Sequence, residues 1–176
     1  GAIFLDGGLD AARTFILRMG RLRHRLLPYL HTMNHRAARD GSPLVEPMYW
    51  AYPESDDAYR VPNQFLFGTE LLVAPITTPT NHRLQLGSVR AWLPAGTWVD
   101  VFTGLVYAGG RQLVLHRDLT GIPVLAGAGA IVPLSGPPIP PNSPENPDSF
   151  EVLVVAGADG AFELIEDDGV GTGLDP

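Results

Sequence analysis

Twenty glycines and seventeen prolines make up about a fifth of this 176-residue chain, and they constrain its fold more than any other feature. Glycine weakens the interior of helices and strands, and proline removes a backbone donor from both. A helix bundle is therefore excluded and a loop-rich β architecture is expected. From residue 43 onward, short apolar runs alternate with these breakers. Candidate strands span residues 44–50, 65–76, 89–93, 97–102, 111–117, 122–125 and 130–134. Pro94-Ala95-Gly96, Gly109-Gly110 and Gly127-Ala128-Gly129 read as turns between them. Short strands at this spacing predict an antiparallel β-sandwich.

The first forty residues differ. Phe15, Met19, Leu22, Leu26, Tyr29 and Met33 recur in alternating steps of four and three, which predicts one helix over residues 9–40. Asp10 is expected to cap its start, and Asp40-Gly41 to end it. Pro28 has no N–H for the carbonyl of His24, so a kink is expected there. So strong an apolar stripe needs a large partner, and nothing else in the chain is helical enough to be one. The stripe is expected to lie exposed, with aggregation or a homo-oligomer as the consequence.

Residues 133–147 hold seven prolines and read as an extended arm with little core of its own. Two strand-like runs follow, 150–155 and 161–166, with Ala158-Asp159-Gly160 as a hairpin turn between them. Two strands alone do not make a stable sheet, so this last unit reads as incomplete.

Charge is unevenly spread. Residues 1–40 carry seven Arg against three Asp, residues 41–176 carry five Arg against sixteen acids, and Lys is absent. The acidic total of −7 disfavours nucleic acid as a partner. No apolar run approaches the ~20 residues that span a bilayer, so no membrane partner is expected. Without cysteine there are no disulfides and no thiolate metal sites. Gly1-Ala2-Ile3-Phe4-Leu5 is too short for a signal peptide, and a cytoplasmic location is expected, with secretion as the alternative.

Chemistry is sparse. His31 and His35 share a helix face and His24 lies one heptad away, but no carboxylate joins them, so they read as packing histidines. Glu54, Asp56 and Asp57 read as a solvated turn. Glu166, Asp167 and Asp168 read as an acidic turn, with calcium as the lesser alternative. Neither cluster is expected to sit among the aromatics that would hold a sugar. Gly127-Ala128-Gly129 lacks the Lys of a phosphate loop. Trp50, Trp92 and Trp98 read as core or interface packing ahead of sugar stacking.

Six blocks carry a family resemblance. Leu22-Arg23-His24-Arg25-Leu26-Leu27-Pro28-Tyr29-Leu30, Gly41-Ser42-Pro43-Leu44-Val45-Glu46-Pro47-Met48 and Asn63-Gln64-Phe65-Leu66-Phe67-Gly68 with Leu71-Leu72-Val73-Ala74-Pro75 come first. Leu93-Pro94-Ala95-Gly96-Thr97-Trp98-Val99-Asp100 with Thr103-Gly104 follows, then Ile122-Pro123-Val124 with Gly129-Ala130-Ile131-Val132-Pro133, then Glu166-Asp167-Asp168-Gly169. In this order they resemble the C-terminal part of family 31 glycoside hydrolases, the α-glucosidases and α-xylosidases. The resemblance implies a mainly β fold: an antiparallel β-sandwich preceded by the last helix and strand of a (β/α)8 barrel, with the start of a second β domain. Residues 1–62 would be the terminal helix and strand of the barrel, 63–135 the proximal sandwich, 136–149 a Pro-rich linker and 150–176 an incomplete distal domain.

The family's reaction is retaining α-glycoside hydrolysis by two aspartates. No residue of this chain matches them, so no catalytic, cofactor-binding or metal residue is assigned and no cofactor is expected. The resemblance implies a non-catalytic C-terminal segment of an α-glycosidase, truncated before its catalytic residues. Its partner would be an oligosaccharide or α-glycoside substrate held by the barrel. The alternative is a stand-alone carbohydrate-binding or structural sandwich without hydrolase activity, which would show a row of exposed tryptophans. The chain departs from the family at Glu46, where Arg is usual, at Asn63, where Asp is usual, and at Gly127, where Arg is common.

Overall fold

The computed structural model describes residues 3–137 and 146–167. Its elements run α1 (Ile3–Arg25), α2 (Leu27–Asp40), β1 (Val45–Pro47), α3 (Met48–Ala51), α4 (Asp56–Tyr59), β2 (Phe65–Phe67), β3 (Leu71–Val73), β4 (Gly87–Leu93), β5 (Thr97–Asp100), β6 (Val106–Ala108), β7 (Arg111–Arg117), β8 (Val124–Gly127), β9 (Ile131–Ser135) and β10 (Phe150–Val154). Every strand pairing among them is antiparallel. The architecture is mainly β. One six-stranded sheet runs β1-β2-β3-β8-β5-β6, and β4-β7 and β9-β10 form separate two-stranded ladders.

The run Leu71-Leu72-Val73-Ala74 explains why this sheet is covered on both faces. Successive side chains of a strand point to opposite sides. Leu72 and its partner Leu125 face Ala91, Leu93 and Leu115 of the β4-β7 ladder. Leu71 and its partner Ala126 face Tyr29 and Met33 of α2 and Val132 and Leu134 of β9. A strand buried on both faces reads as a continuous apolar run, and β3 does.

The expected helix is two helices. α1 ends at Arg25, Leu26 stays in the right-handed region at φ −77° and ψ 0°, and α2 begins with Pro28 in its first turn. The break lies where the missing proline donor predicted it. Gly41, at φ 77°, ends α2 in the left-handed conformation and its N–H donates to the Ala37 carbonyl at 3.0 Å. The start differs from the expectation: Asp10 lies inside α1 and caps nothing.

The stripe of α2 is not orphaned. Tyr29, Thr32 and Met33 are buried, because the partner is a sheet face and not another helix. In α1 the stripe residues Phe15, Met19 and Leu22 are half-buried, while apolar residues beside them stand in solvent. Ile16 and Leu17 are 66% and 53% exposed, and Arg18 lies over the Phe102 ring at 4.9 Å.

Two further expectations are corrected. Residues 161–166 form no strand and 158–160 no hairpin turn. The segment's apolar side chains are claimed by α2: Phe162 stacks on Tyr29 at 5.7 Å, and the Ile165 N–H donates to Thr32 Oγ1 at 3.1 Å. The arm predicted from residue 133 starts as β9, with Pro133 opposite Val152. Residues 138–145 of that arm lie outside the described residues. Residues 48–50, expected to extend a strand, turn into α3 because Met48 drops into the core between the sheet and β4.

Gln64 ties two layers together. It is 3% exposed; its Nε2 donates to the Trp92 carbonyl at 2.6 Å and its Oε1 accepts from the Trp92 N–H at 2.9 Å. Replacing Gln64 by Leu leaves both Trp92 backbone groups buried without this partner. The variant is expected to lose about 2–3 kcal/mol, read from the urea midpoint.

Candidate functional site

The structure scatters the candidate residues. His31 Nε2 lies 3.2 Å from Asp167 Oδ2, His35 is exposed and His24 half-buried. Among the described residues no three His, Asp or Glu side chains converge as a metal site would require. Asp168 lies outside the described residues. Trp92 is buried, Trp98 is half-buried with Nε1 donating to the Pro94 carbonyl at 2.9 Å, and Trp50 is exposed.

In the acidic loop at 54–57, Glu54 and Asp56 are exposed as a solvated turn would be, and Asp57 is half-buried. Asp57 anchors α4, accepting from Gln112 Nε2 at 2.7 Å and lying 3.6 Å from Arg60 Nη1. Aromatic rings do flank the loop: α3 and α4 fold back on each other, so Tyr49 and Tyr59 stack at 5.6 Å. Tyr59 Oη closes the turn by donating to the Pro53 carbonyl at 3.1 Å.

Three side chains that the sequence did not mark as candidate site residues organise the interior. The first is Tyr29, fully buried, whose hydroxyl donates to the Phe67 carbonyl at 2.8 Å and accepts from the Glu70 N–H at 3.1 Å. Burial pushes its pKa up to about 12. Gly68 makes this contact possible. It sits at φ 63°, and a Cβ there would lie 2.7 Å from Tyr29 Cζ. The second is Glu70, which accepts from the Ile131 N–H at 2.9 Å and so ties the β2-β3 turn to β9.

The third is Asp100, also fully buried. Its Oδ1 accepts from the N–H groups of Phe102 and Thr103 at 2.9 and 2.8 Å, and its Oδ2 pairs with Arg117 Nη2. The carboxylate thus closes the turn after β5 and neutralises a guanidinium from β7. The Gly104 N–H completes the turn on the Asp100 carbonyl at 2.8 Å. A carboxylate so engaged is built for packing, not for proton transfer.

Residues of the first five sequence blocks therefore have mechanical roles in the interior, while Glu166 and Asp167 of the sixth are exposed. Residues 41–132 match the model of the glycosyl hydrolase family 31 C-terminal domain. The chain belongs to glycosyl hydrolase family 31. Its relatives are α-glycosidases. It is 31% identical over 149 residues to alpha-glucosidase 2 of Bacillus thermoamyloliquefaciens, covering 85% of this chain and 18% of that protein. It is 31% identical over 156 residues to the alpha-xylosidase of Saccharolobus solfataricus, covering 88% and 20%. The chain thus spans about a fifth of the length of these curated relatives. Among solved structures, the family 31 alpha-xylosidase of Xanthomonas citri superposes with a TM-score of 0.72 at 33% identity, over 87% of this chain and 16% of that one. The family 31 dextranase of Flavobacterium johnsoniae in complex with glucose gives 0.71 at 28% identity, over 85% and 18%.

The family positions that depart in this chain have local consequences. Asn63 Nδ2 donates to Thr77 Oγ1 at 3.0 Å. Glu46 is half-buried at the edge of the sheet, and burial of Tyr52, with the charge of Glu46 as the lesser cause, raises the pKa of that tyrosine. Gly127 leaves a gap beside Trp98, on a cleft of about 300 Å3 that also takes in Tyr52, Glu70 and Asp159.

Proposed function

We propose that this chain is the non-catalytic C-terminal segment of a retaining α-glycosidase that acts on α-glucosides or α-xylosides. In this reading α1, α2 and β1 belong to the end of the catalytic barrel. The β-rich part is the proximal sandwich, and residues 150–176 open a distal unit whose first strand, β10, is shared with the proximal core. The role is mechanical. Tyr29 locks the last barrel helix onto the β2-β3 turn, and that lock holds the barrel in register. A displacement of about 1 Å at a catalytic centre costs roughly a hundredfold in rate, so a rigid support far from the chemistry has functional weight.

The family match over residues 41–132 carries the reading. Two features support it. The one fully buried carboxylate among the described residues, Asp100, is neutralised by Arg117, whereas retaining hydrolysis needs two carboxyl groups about 5–5.5 Å apart across the substrate. The apolar residues Ile16 and Leu17 of α1 are exposed, as a barrel helix without its neighbours would be. A stand-alone module with a row of surface tryptophans is disfavoured by Trp92, 7% exposed and packed edge-on against Tyr52.

The test is a chimaera. The C-terminal fifth of the Bacillus alpha-glucosidase is replaced by this chain and assayed on aryl α-glucosides and α-xylosides. Activity well above that of the same enzyme with the segment deleted is expected, and the chain alone should show no turnover. Turnover by the chain alone, or a chimaera no better than the deletion, overturns the reading. The isolated chain is also expected to self-associate through α1; a clean monomer in light scattering would contradict that.

A further inference from the structure

We propose that the cleft beside Trp98 is a binding subsite for a single pyranose ring. The inference rests on the proposed function for its choice of sugar among polar, neutral ligands. The rest comes from the cleft itself.

Its volume, about 300 Å3, lies at the lower end of ligand-sized pockets and suits one ring better than a chain. Two aromatic side chains and two carboxylates line it: Trp98 and Tyr52, Glu70 and Asp159.

Trp98 is held rather than loose. Its Nε1 is tied to the Pro94 carbonyl at 2.9 Å, so the indole cannot swing away. Gly127 lies opposite it in the β5-β8 pairing. A Cβ on Gly127 would sit 3.8 Å from Cζ3 of the indole, so any larger side chain would spread over the benzene ring. Glycine keeps that ring open. Tyr52 is fixed in turn by its edge-on contact with Trp92, at 5.3 Å between centroids.

Glu70 is oriented by the Ile131 N–H on Oε2. An ionised carboxylate has about four acceptor sites, so capacity remains for ligand hydroxyls. A pyranose presents an apolar C–H face to an aromatic ring and hydroxyl donors at its rim, which matches an open indole bordered by the acidic residues Glu70 and Asp159. An anion is disfavoured by Glu70 and Asp159. A purely apolar ligand would strand both carboxylates. An organic ammonium ion is the competing ligand, since aromatic rings with carboxylates also suit cations.

The experiment uses the 176-residue chain carrying Trp50→Ala, so that the exposed indole does not report. Tryptophan fluorescence and saturation-transfer NMR are followed against methyl α-glucoside, methyl α-xyloside and tetramethylammonium. A saturable response to at least one glycoside is expected, with a Kd of about 1–10 mM. Gly127→Leu should weaken it at least tenfold and Gly127→Ala by less. Glu70→Gln keeps an acceptor for Ile131 and should weaken binding severalfold, with circular dichroism unchanged in all three.

No saturable response from a folded chain overturns the subsite, as does binding indifferent to Gly127→Leu or a preference for tetramethylammonium. An active chimaera without sugar binding refutes this inference alone. Sugar binding with an inactive chimaera refutes the supporting role alone.

Discussion

Asp100→Ala is expected to destabilise the chain by about 3–5 kcal/mol, because it leaves Arg117 without its partner in the interior. The Arg117 side chain is 12% exposed and Asp100 is fully buried, so solvent screens the pair poorly. The same substitution removes the acceptor of two turn N–H groups, those of Phe102 and Thr103. Asp100→Asn keeps an oxygen for the turn but loses the charge, and should cost less than the alanine variant. Chemical denaturation followed by circular dichroism measures both. Coupling is the stronger test: Arg117→Met combined with Asp100→Ala should cost clearly less than the sum of the two single changes. Additive losses would mean that Asp100 acts through the turn and not through the ion pair.

Tyr29→Ala is the second large effect, again about 3–5 kcal/mol, as for other large aromatic truncations in cores. It would empty the contact among Phe67, Phe162 and Gly68 and release the helix from the β2-β3 turn. Tyr29→Phe isolates the hydroxyl. Without it, the Phe67 carbonyl and the Glu70 N–H lose a partner, which costs about 1–3 kcal/mol. The hydroxyl also gives a pH signature. The pKa of Tyr29 is raised from the ordinary value of 10.0 to about 12, so the folded state favours the neutral phenol. Its contribution is complete below pH 10 and is lost as pH rises towards about 12, at about 1.4 kcal/mol per pH unit. Stability curves of the native chain should fall across that window more steeply than those of Tyr29→Phe.

Local elements were legible where their signals were local. Residues 111–117 were expected as a strand and form β7 with those bounds. The break before Pro28 followed from one missing N–H. β6 was missed because three residues, Val106 to Ala108, are too few to show alternation. Partners were harder to read. The helix stripe was expected to need another helix, yet Tyr29 and Met33 found a sheet face that only the pairing of β3 with β8 assembles. Residues 161–166 alternate like a strand, but Phe162 and Ile165 gain more by lying against α2 than by pairing with β10. The long-range ties escaped for a related reason. Gln64 and Trp92 are 28 residues apart, and Ile131 and Glu70 are 61 apart.

What the residue order determined by itself was the family and the kind of secondary structure. Glycine, proline and apolar spacing act over a few residues, and six ordered blocks do not recur by chance in an unrelated β protein. What only the tertiary structure decided was the purpose of the glycines and prolines that limit this fold. Gly68 makes room for a tyrosine hydroxyl, Gly127 keeps an indole open, and Pro133 lies within a strand. Each role depends on an atom brought close from a distant part of the chain, which no local pattern encodes.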